Sequence, residues 1–378
     1  MKDNSTRRLR ILFISRAFPP VIGGIEKQNA EIHRHLSKIA NVTLVANRYG
    51  KRFLPLFIPY AIAYALWKAT ENDVILFGDG MLSIVAWVLR LVKPRPLTCC
   101  ILHGLDLTFP NPIYQHCWVR RFLPMVDVLL PVSHQTAEEA IKRGLSKERC
   151  RVISNGVNPD DFTKEYDPKD IQRLLGCDVS NRHIILTVGR LIERKGVCWF
   201  VENVLTELDE DIVYVIAGDG PMRRKIEKNI LKKGLASRVF LLGRVSDADL
   251  RTLYAAADIF IQPNIRVEGD MEGFGLVVLE AGASGLPVIA SRLEGLTDAV
   301  SDGDNGQLLT PENADEYVIR INKLIHDQDA LHAASQRAMD YVRQHFQWQA
   351  IADRYLKTFC QFLSKSCGQM THERSNRS

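Results

Sequence analysis

The sequence lacks the cysteine patterns of metal-binding or disulfide-stabilised proteins. Its eight cysteines form no C-x-x-C pair, and Cys99 and Cys100 are adjacent. This spacing fits neither a zinc site nor a disulfide framework. We therefore expect reduced, mostly buried thiols in a cytoplasmic protein.

The chain also lacks an apolar run long enough to cross a bilayer. The longest run, Phe53–Trp67, is shorter than the ~20 residues that a spanning helix needs. Lys51 and Arg52 precede it and Lys68 follows it. We predict no transmembrane segment, and two interpretations of this run stay open: a buried core helix, or a helix that lies on an anionic membrane surface.

Strong charge of either sign is absent. The net charge is +5, and 25% of the residues are charged. This weak basicity suits an anionic ligand or an acidic membrane surface, but it does not indicate a nucleic-acid partner. With 378 residues, of which 46% are hydrophobic, the chain is long enough for two domains with cores of their own.

Short apolar segments alternate with helix-like segments in two successive series. The first series is LRILFIS, NVTLVA, DVILF, TCCIL and VDVLLPVS, and the second is HIILTVG, DIVYVIAG, RVFLLG, DIFIQP, PVIAS and GQLL. Because these segments lack a strict apolar–polar alternation, we predict parallel strands that are buried on both faces. The fold class is therefore α/β, with two doubly wound sheets.

The pattern weakens around Asp167–Asp178, which indicates a domain boundary there. We predict an N-terminal domain over residues 1–167 and a C-terminal domain over residues 168–345. A C-terminal helix over residues 346–365 is expected to pack toward the N-terminal domain. Residues 366–378 are polar and are predicted to be disordered.

Several common ligand motifs are absent. The sequence contains no G-x-x-x-x-G-K-[ST] phosphate loop, and the segments GDGPMR and GFGLVV each lack the third glycine of a dinucleotide-binding loop. The missing glycines argue against a dinucleotide-dependent dehydrogenase. Asp302 and Asp304 form a D-x-D pair, but they lie in the turn-rich segment SDGDNG, so we interpret them as loop residues.

Two loops carry residues suited to a phosphorylated ligand. Gly23 and Gly24 follow the first strand and open a helix, where the backbone can approach an anion closely. Arg190 and Lys195 follow the strand HIILTV in the segment TVGRLIERKG. Two cations at the carboxyl end of a strand can neutralise a diphosphate.

Two glutamates interrupt an otherwise apolar stretch. Glu272 and Glu280 lie in MEGFGLVVLEAGASGLPVIAS, and we predict a helix that starts at about Gly275. The free amides of Phe274, Gly275 and Leu276 would then point at a ligand. Because a carboxylate is a pure acceptor, the two glutamates suit the vicinal hydroxyls of a sugar and a ribose.

Together these motifs resemble glycosyltransferase family 4, the retaining enzymes of the GT-B fold. The resemblance runs from the first strand to about residue 355. It rests on the E-x7-E pair and on VGRLIERKG, NGVNPDDF, AGDGP, LGRV, AADIFIQPN, FPPVIGGIE and LHGLDLT. It implies two Rossmann-like domains that face a central cleft. The N-terminal domain would lie on the acceptor side, and the C-terminal domain would bind a nucleoside diphosphate sugar.

The resemblance also implies roles for single residues on the donor side. Glu280 would bind the ribose hydroxyls, and Arg190 and Lys195 would bind the diphosphate. Glu272 and the amides of Phe274, Gly275 and Leu276 would position the transferred sugar. The residues flanking the nucleobase would be Arg244 and Val245, and the glycines closing over the phosphates would be Gly23 and Gly24.

Two residues of the segment LHGLD are candidates near the reacting centre or the acceptor. By resemblance, His103 would lie close to the sugar and its anomeric carbon. Asp106 would either contact the acceptor or organise its own loop. No resident cofactor and no metal ion are expected.

The implied activity is retaining transfer of a UDP- or GDP-linked sugar to a lipid-linked or saccharide acceptor in cell-surface glycan assembly, such as polysaccharide or lipopolysaccharide synthesis. The implied location is the cytoplasm, with peripheral contact at the inner face of the membrane. Two alternatives remain open: a sugar-nucleotide epimerase of the same fold and a non-catalytic nucleotide-sugar-binding partner. The E-x7-E spacing and the segment GRLIERKG argue against the epimerase.

Overall fold

The computed structural model describes residues 7–21, 23–91, 95–162 and 165–375, with side chains described up to residue 364. The chain forms two compact units. Unit 1 consists of the residues up to Asn155 together with those from Trp348 onward. Unit 2 consists of Gly156–Gln347.

Unit 1 contains a five-stranded parallel sheet with the strand order β2-β1-β3-β4-β5. Strands β3 and β4 are buried along their whole length, because helices cover both faces of the sheet. The five strands are the five predicted segments. Their bounds are β1 Arg10–Ser15, β2 Asn41–Ala46, β3 Val74–Phe77, β4 Leu97–Leu102 and β5 Val128–Pro131.

The first helices of unit 1 are α1 Gly24–Ile39, α2 Leu54–Lys68, α3 Ser83–Leu89, α4 Leu105–Thr108, α5 Pro112–Tyr114 and α6 His134–Lys142. A π-helical stretch, Gln115–Phe122, continues α5.

Unit 2 contains a six-stranded parallel sheet with the strand order β11-β10-β9-β6-β7-β8. Its strands are β6 His183–Val188, β7 Ile212–Ala217, β8 Val239–Gly243, β9 Ile259–Gln262, β10 Val288–Ser291 and β11 Gly306–Leu309. Its helices are α7 Pro168–Leu175, α8 Val197–Asn203, α9 Arg223–Lys232, α10 Asp247–Ala256, α11 Leu276–Ala283, α12 Leu296–Ala299, α13 Ala314–Ile325 and α14 Gln328–His345. All six strands were predicted, so the α/β class with two doubly wound sheets is confirmed.

The strand order of each sheet reverses direction at one point. In unit 1 this switch point lies between β1 and β3, and in unit 2 it lies between β6 and β9. Ligands of open parallel sheets bind at the carboxyl ends of the strands at such a point. The loops after β6 and β9 carry Lys195 and Glu272, so the topology of unit 2 brings these predicted site residues to one edge.

The first unit ends before the predicted boundary at residue 167. The intervening residues bond within unit 2: the amide of Val157 donates to the carbonyl of Phe346 at 2.8 Å, and the Phe162 ring lies 5.8 Å from the Tyr254 ring. These contacts were not visible in the weakening strand pattern on which the predicted boundary rested.

The last helix of the chain, α15 Trp348–Ser375, belongs to unit 1 and packs against α1. Its buried residues include Ile351, Tyr355 and Phe359. The helix extends into the segment predicted to be a disordered tail, because no proline interrupts that polar segment and a helix propagates residue by residue once it is nucleated. Residues 376–378 of the predicted tail lie outside the described residues.

The cysteines are less buried than predicted. Cys99, Cys100 and Cys198 are buried, whereas Cys177 and Cys360 are exposed. Burial raises the pKa of Cys99 and Cys100 well above the ordinary value, so these two thiols are unreactive core residues.

Helix α2 has two apolar faces with different environments. Phe57, Ala61 and Ala65 are buried in the core of unit 1. On the other side, Leu56 is 73% exposed and Trp67 is 67% exposed. The helical stretch Lys51–Glu71 is long and apolar enough to cross a membrane by length and composition, although no membrane-spanning segment was predicted. Because one face packs into the core of unit 1 and the other is exposed, α2 is neither a fully buried helix nor a helix surrounded by lipid.

Candidate active site

The loops after β6 and β9 pack against each other backbone to backbone. Gly196 ends the first loop with a left-handed backbone, φ 66°. A Cβ at this position would lie 1.7 Å from the carbonyl oxygen of Pro263, at the start of the second loop. Only glycine permits this approach. The contact places Lys195 beside the side chains of the loop after β9.

Glu272 is the centre of a buried polar cluster. Its Oε2 atom accepts hydrogen bonds from Arg194 Nη1, from Lys195 Nζ at 2.5 Å and from Asn264 Nδ2 at 3.1 Å. Arg194 also pairs with Asp270 at 3.1 Å. Among the described residues no donor reaches Oε1 of Glu272, so this oxygen can accept from a ligand hydroxyl.

The charges in this cluster balance each other locally. Burial acts to raise the pKa of Glu272, but Lys195 and Arg194 outweigh it and lower the pKa to about 2. Burial lowers the pKa of Lys195, and the attraction of Glu272 opposes this effect. Glu272 is thus an ionised carboxylate, and breaking either ion pair would leave a costly buried charge.

The amides beyond Glu272 lie at the start of α11. Gly275 caps this helix with φ 87°, a left-handed conformation that favours glycine. No bond among the described loop and cap hydrogen bonds uses the amides of Phe274, Gly275 or Leu276 as donors. The predicted start of the helix agrees with the structure. Helix N-termini with free amides attract anions, and the role of these three amides in binding a ligand stays a prediction.

Glu280 lies on the second turn of α11 and is buried. The hydroxyl of Tyr254, on α10, donates to Glu280 Oε2 at 3.0 Å. Burial, and then the charge of Glu280, raise the pKa of Tyr254 well above its ordinary value, so the phenol stays a neutral donor. Tyr254 therefore fixes the orientation of the carboxylate that was predicted to bind ribose.

Arg190 and the nucleobase candidates remain on the surface of unit 2. Arg190 follows β6 with an exposed side chain, and no residue in the described ranges forms an ion pair with it. Arg244 is exposed and Val245 is half-buried after β8. Strand β8 is an edge strand separated from β6 by β7. These residues share the carboxyl edge with the Glu272 cluster but do not join it.

In unit 1, His103 follows β4 and is half-buried. Its Nε2 atom lies 2.8 Å from the carbonyl oxygen of Gly78. A carbonyl only accepts, so Nε2 carries a proton in this arrangement and Nδ1 is the atom left for other partners. The predicted place of His103 near a sugar stays a prediction.

Asp106 is buried and organises its surroundings. Its Oδ2 atom accepts from the amide of Gly80 at 3.0 Å and from the amide of His103 at 3.2 Å. The carboxylate therefore ties the loops after β3 and β4 together. Of the two roles considered for Asp106, these bonds support the loop-organising one.

An ion pair that was not predicted lies at the same edge of unit 1. Arg16 Nε binds Asp79 Oδ1 at 2.8 Å, and Asp79 is fully buried. Burial raises the pKa of Asp79, while Arg16 opposes the rise. The two residues are far apart in sequence and belong to no motif, so only the pairing of β1 with β3 brings them together.

Gly23 and Gly24 open helix α1, as predicted. A side chain at position 23 would collide with the carboxylate of Glu26, which folds back over the helix start. The helix thus already has a carboxylate of its own near its free amides. Whether these glycines contact phosphates stays a prediction.

The D-x-D segment has a structural role. Asp302 pairs with Arg292 at 2.6 Å and accepts from the amide of Leu308, and Asp304 accepts from the Ser301 hydroxyl. Across the described ranges, no group of three or more His, Cys, Asp or Glu side chains is arranged to hold a metal ion. The interpretation of Asp302 and Asp304 as loop residues agrees with these bonds.

Three residues of the site in unit 2 were missed from the sequence: Arg194, Asn264 and Tyr254. Arg194 and Asn264 lie inside the motifs ERKG and AADIFIQPN. The sequence therefore identified the two loops but not the group toward which these side chains point. Tyr254 lies in the apolar pattern of α10, where an aromatic residue indicates only core. The packing of α10 near α11 gives it a polar role.

The comparisons with known proteins follow the same division of the chain. Residues 178–341 match the profile described as "Glycosyl transferases group 1". Residues 22–161 match the profile "Glycosyltransferase Family 4". The two matches together cover most of the chain, and the chain belongs to glycosyltransferase family 4.

Two relatives and one solved structure illustrate the similarity. A GDP-mannose-dependent phosphatidylinositol monomannoside mannosyltransferase of Mycolicibacterium smegmatis is 28% identical over 366 residues, which cover 89% of this chain and 95% of that protein. The putative colanic acid biosynthesis glycosyltransferase WcaL of Salmonella typhimurium is 27% identical over 315 residues, 80% of this chain and 74% of that protein. The structure of Anabaena HepE in complex with UDP-glucose covers 93% of this chain and 100% of its own, with a TM-score of 0.74 and 23% identity. The last likeness confirms the GT-B fold.

Proposed function

We propose that this glycosyltransferase is a retaining enzyme that moves a sugar from a UDP- or GDP-linked donor to a lipid-linked or saccharide acceptor in cell-surface glycan assembly. The observation that carries the proposal is the buried Glu272 cluster at the switch point of the unit 2 sheet, next to the free amides of α11. Related proteins named for colanic acid synthesis, for GDP-mannose and for a UDP-glucose complex support the choice of donor and pathway class.

The diphosphate of the donor would bind to the cationic side chains at the end of β6. Breaking the bond between the anomeric carbon and the diphosphate oxygen leaves negative charge on that oxygen. Lys195 and the α11 amides are pre-organised donors for this charge, and the exposed Arg190 at the same strand end adds a further positive charge. The acceptor hydroxyl attacks on the face that the diphosphate leaves, and its proton passes to the diphosphate, so that configuration is retained. These groups supply the stabilisation without a metal ion or a resident cofactor.

The two glutamates bind different parts of the donor. Glu272 presents Oε1 to a sugar hydroxyl while its other oxygen is fixed by Arg194, Lys195 and Asn264. Glu280 accepts from the ribose hydroxyls while Tyr254 fixes its orientation. In unit 1, His103 and Asp106 are proposed to serve the acceptor side, with Asp106 acting through the shape of its loop.

A donor screen tests this function directly. Thermal unfolding is measured with UDP-glucose, GDP-mannose and ADP-glucose, and then with UDP, GDP and ADP alone. A donor at a hundredfold excess over its Kd is expected to stabilise the protein by about 2.7 kcal/mol, and the ligands with the wrong base should stabilise it less. Absence of stabilisation by all six ligands would contradict the proposed donor class.

The product of slow donor hydrolysis separates the remaining alternatives. NMR of wild-type protein with the stabilising donor should show nucleotide release and a free sugar whose first-formed anomer has the donor's configuration. An inverted anomer would contradict retention. An epimerised nucleotide sugar would identify an epimerase, and an unchanged donor that still binds would identify a non-catalytic partner.

We further propose that α2 binds the surface of an anionic membrane, where a lipid-linked acceptor would lie. Leu56, Tyr60, Tyr64 and Trp67, here named the α2 outer face, follow each other at helical spacing. The Tyr60 and Tyr64 rings lie 5.9 Å apart, and the Tyr64 and Trp67 rings lie 5.7 Å apart. Tyr and Trp are enriched at membrane interfaces, where an apolar ring and a polar atom are both solvated.

The charges around α2 complement an anionic surface. Lys51 and Arg52 are exposed before the helix, and Lys68 ends it. Lys51 and Arg52 would each gain about 1 kcal/mol near an anionic bilayer, whereas Lys68 is paired with Glu71 at 2.8 Å. The buried face, Phe57, Ala61 and Ala65, meanwhile keeps α2 attached to unit 1. The helix is therefore expected to lie flat on the membrane surface.

Cosedimentation with vesicles tests the membrane proposal. Wild type should bind vesicles of anionic lipid at low salt and dissociate as salt is raised. Leu56→Asp and Trp67→Asp should abolish binding with an unchanged Tm, because both side chains are exposed. The matched control is Ile319→Asp, an exposed apolar residue on α13 that should not affect binding. Wild-type protein that stays in the supernatant at low salt would refute the proposal.

A further inference from the structure

Glu294 lies in the loop after β10 and holds the backbone of Glu272. Its Oε2 atom accepts from the amide of Glu272 at 2.5 Å. The next residue, Gly295, donates its amide to the carbonyl of Glu272 at 3.1 Å. The peptide groups on both sides of the Glu272 α-carbon are thus fixed by two successive residues of one loop.

The same loop approaches the residues that precede α11. A Cβ at Gly295 would lie 2.2 Å from the carbonyl oxygen of Gly273 and 2.7 Å from the amide nitrogen of Phe274. The backbone of residues 273 and 274 leads directly to the free amides described above. The loop therefore supports both the carboxylate of Glu272 and the donors at the helix start.

Glu294 adopts a backbone conformation that is unfavourable for its residue type. Its φ is 51°, in the left-handed region that favours glycine. Glu312, with φ 58°, is the other non-glycine residue with a positive φ among the described residues. Strain of this kind persists where the surrounding structure imposes it, and it is frequent at functional sites.

Glu294 differs from Glu312 in its surroundings. The Glu294 side chain is half-buried, and burial raises the pKa of its carboxyl, while the hydrogen bond from the Glu272 amide and the charge of Arg194 oppose the rise. Glu312 is exposed, in the loop before α13. A glycine would be less strained at either position, but only at 294 would it remove a bond to the site.

We propose that Glu294 is a positioning residue for sugar transfer, an inference that rests on the proposed function. Its carboxylate holds the segment from Glu272 to Leu276 in the geometry in which the Glu272 carboxylate and the loop amides meet the transferred sugar. The backbone of Glu294 is strained because a side chain that accepts this hydrogen bond stands at a position whose φ favours glycine.

The test compares Glu294→Gly, Glu294→Gln and the matched control Glu312→Gly. Both glycine variants relieve backbone strain, so each should keep or raise the Tm. Only Glu294→Gly should lower kcat for nucleotide release from UDP-glucose or GDP-mannose, by about 10- to 100-fold, because the segment that meets the sugar loses its support. Its Kd for UDP or GDP alone should stay within about twofold of wild type. Glu294→Gln keeps an acceptor oxygen and should restore kcat to within about threefold of wild type.

Each other outcome has a definite meaning. Wild-type kcat in Glu294→Gly would overturn the positioning role. So would a Tm that falls in both Glu294 variants together with kcat, because the residue would then serve only the fold. A wild-type protein that neither binds nor cleaves the donors would instead overturn the proposed function, and this inference with it.

Discussion

Lys195→Ala is expected to lower kcat by about 10²- to 10³-fold, the usual loss for one donor that stabilises transition-state charge. Lys195 is buried, and its Nζ lies 2.5 Å from Glu272 at the carboxyl end of β6. Its removal takes a positive charge from the departing diphosphate and leaves Glu272 with Arg194 and Asn264. Steady-state nucleotide release, measured beside the Tm, gives the effect.

Two further substitutions show whether the charge itself is responsible. Arg190→Ala should have a smaller effect, about tenfold, because the exposed Arg190 side chain is well solvated. Lys232→Ala, at the exposed end of α9, removes the same charge away from the site and should leave kcat unchanged. EDTA should not affect wild type. Activity that is lost with EDTA and restored by Mn²⁺ would contradict the metal-independent mechanism, and an unchanged kcat in Lys195→Ala would contradict the role of this lysine.

Glu280→Gln is expected to weaken binding of UDP or GDP by about 10- to 100-fold while the protein stays folded. A hydrogen bond to a charged group contributes about 1.5–3 kcal/mol, and glutamine replaces the ionised acceptor by a weaker neutral one. The fold should persist because the glutamine oxygen can still accept from the Tyr254 hydroxyl, so the buried phenol is not left without a partner. Titration calorimetry with the nucleotides measures the loss.

Tyr254→Phe separates the orientation of Glu280 from its charge. It removes the hydroxyl that lies 3.0 Å from Glu280 Oε2 but leaves the carboxylate in place, so it should weaken nucleotide binding by only about fivefold. Glu210→Gln, at an exposed position before β7, controls for a general change of charge. Unchanged nucleotide affinity in Glu280→Gln would contradict the ribose assignment.

The strands could be predicted because each of them corresponds to a short apolar segment of consecutive residues. All eleven predicted segments are strands, and those covered on both faces are apolar along their length, as in VILF and IVYVIA. The edge strand β2 was predicted to be buried on both faces, but most of its residues are not buried. The start of α11 was predictable for a similar reason: Gly275 supplies the left-handed residue at which the helix begins. The boundary between the units could not be predicted in this way, because it depends on contacts between distant segments, such as the hydrogen bond from Val157 to Phe346.

The candidate site could be predicted only in part. Lys195, Glu272 and Glu280 were identified because charged residues in apolar or strand-end contexts are costly unless they have a partner. Which atoms pair was not accessible from the sequence. Lys195 was expected to face a diphosphate, and in the structure its Nζ binds Glu272.

The sequence by itself determined the fold class, the family and the two glutamates with their helix start, because these depend on residue type and on spacing along the chain. Only the tertiary structure decided the partners: Arg194 on Glu272, Tyr254 on Glu280 and Glu294 on the Glu272 amide. It also decided that α2 has one core face and one exposed face. The physical reason is that hydrogen bonds and burial depend on distances between elements that are remote in sequence. Within each unit, only the packing of its helices on its own sheet sets those distances.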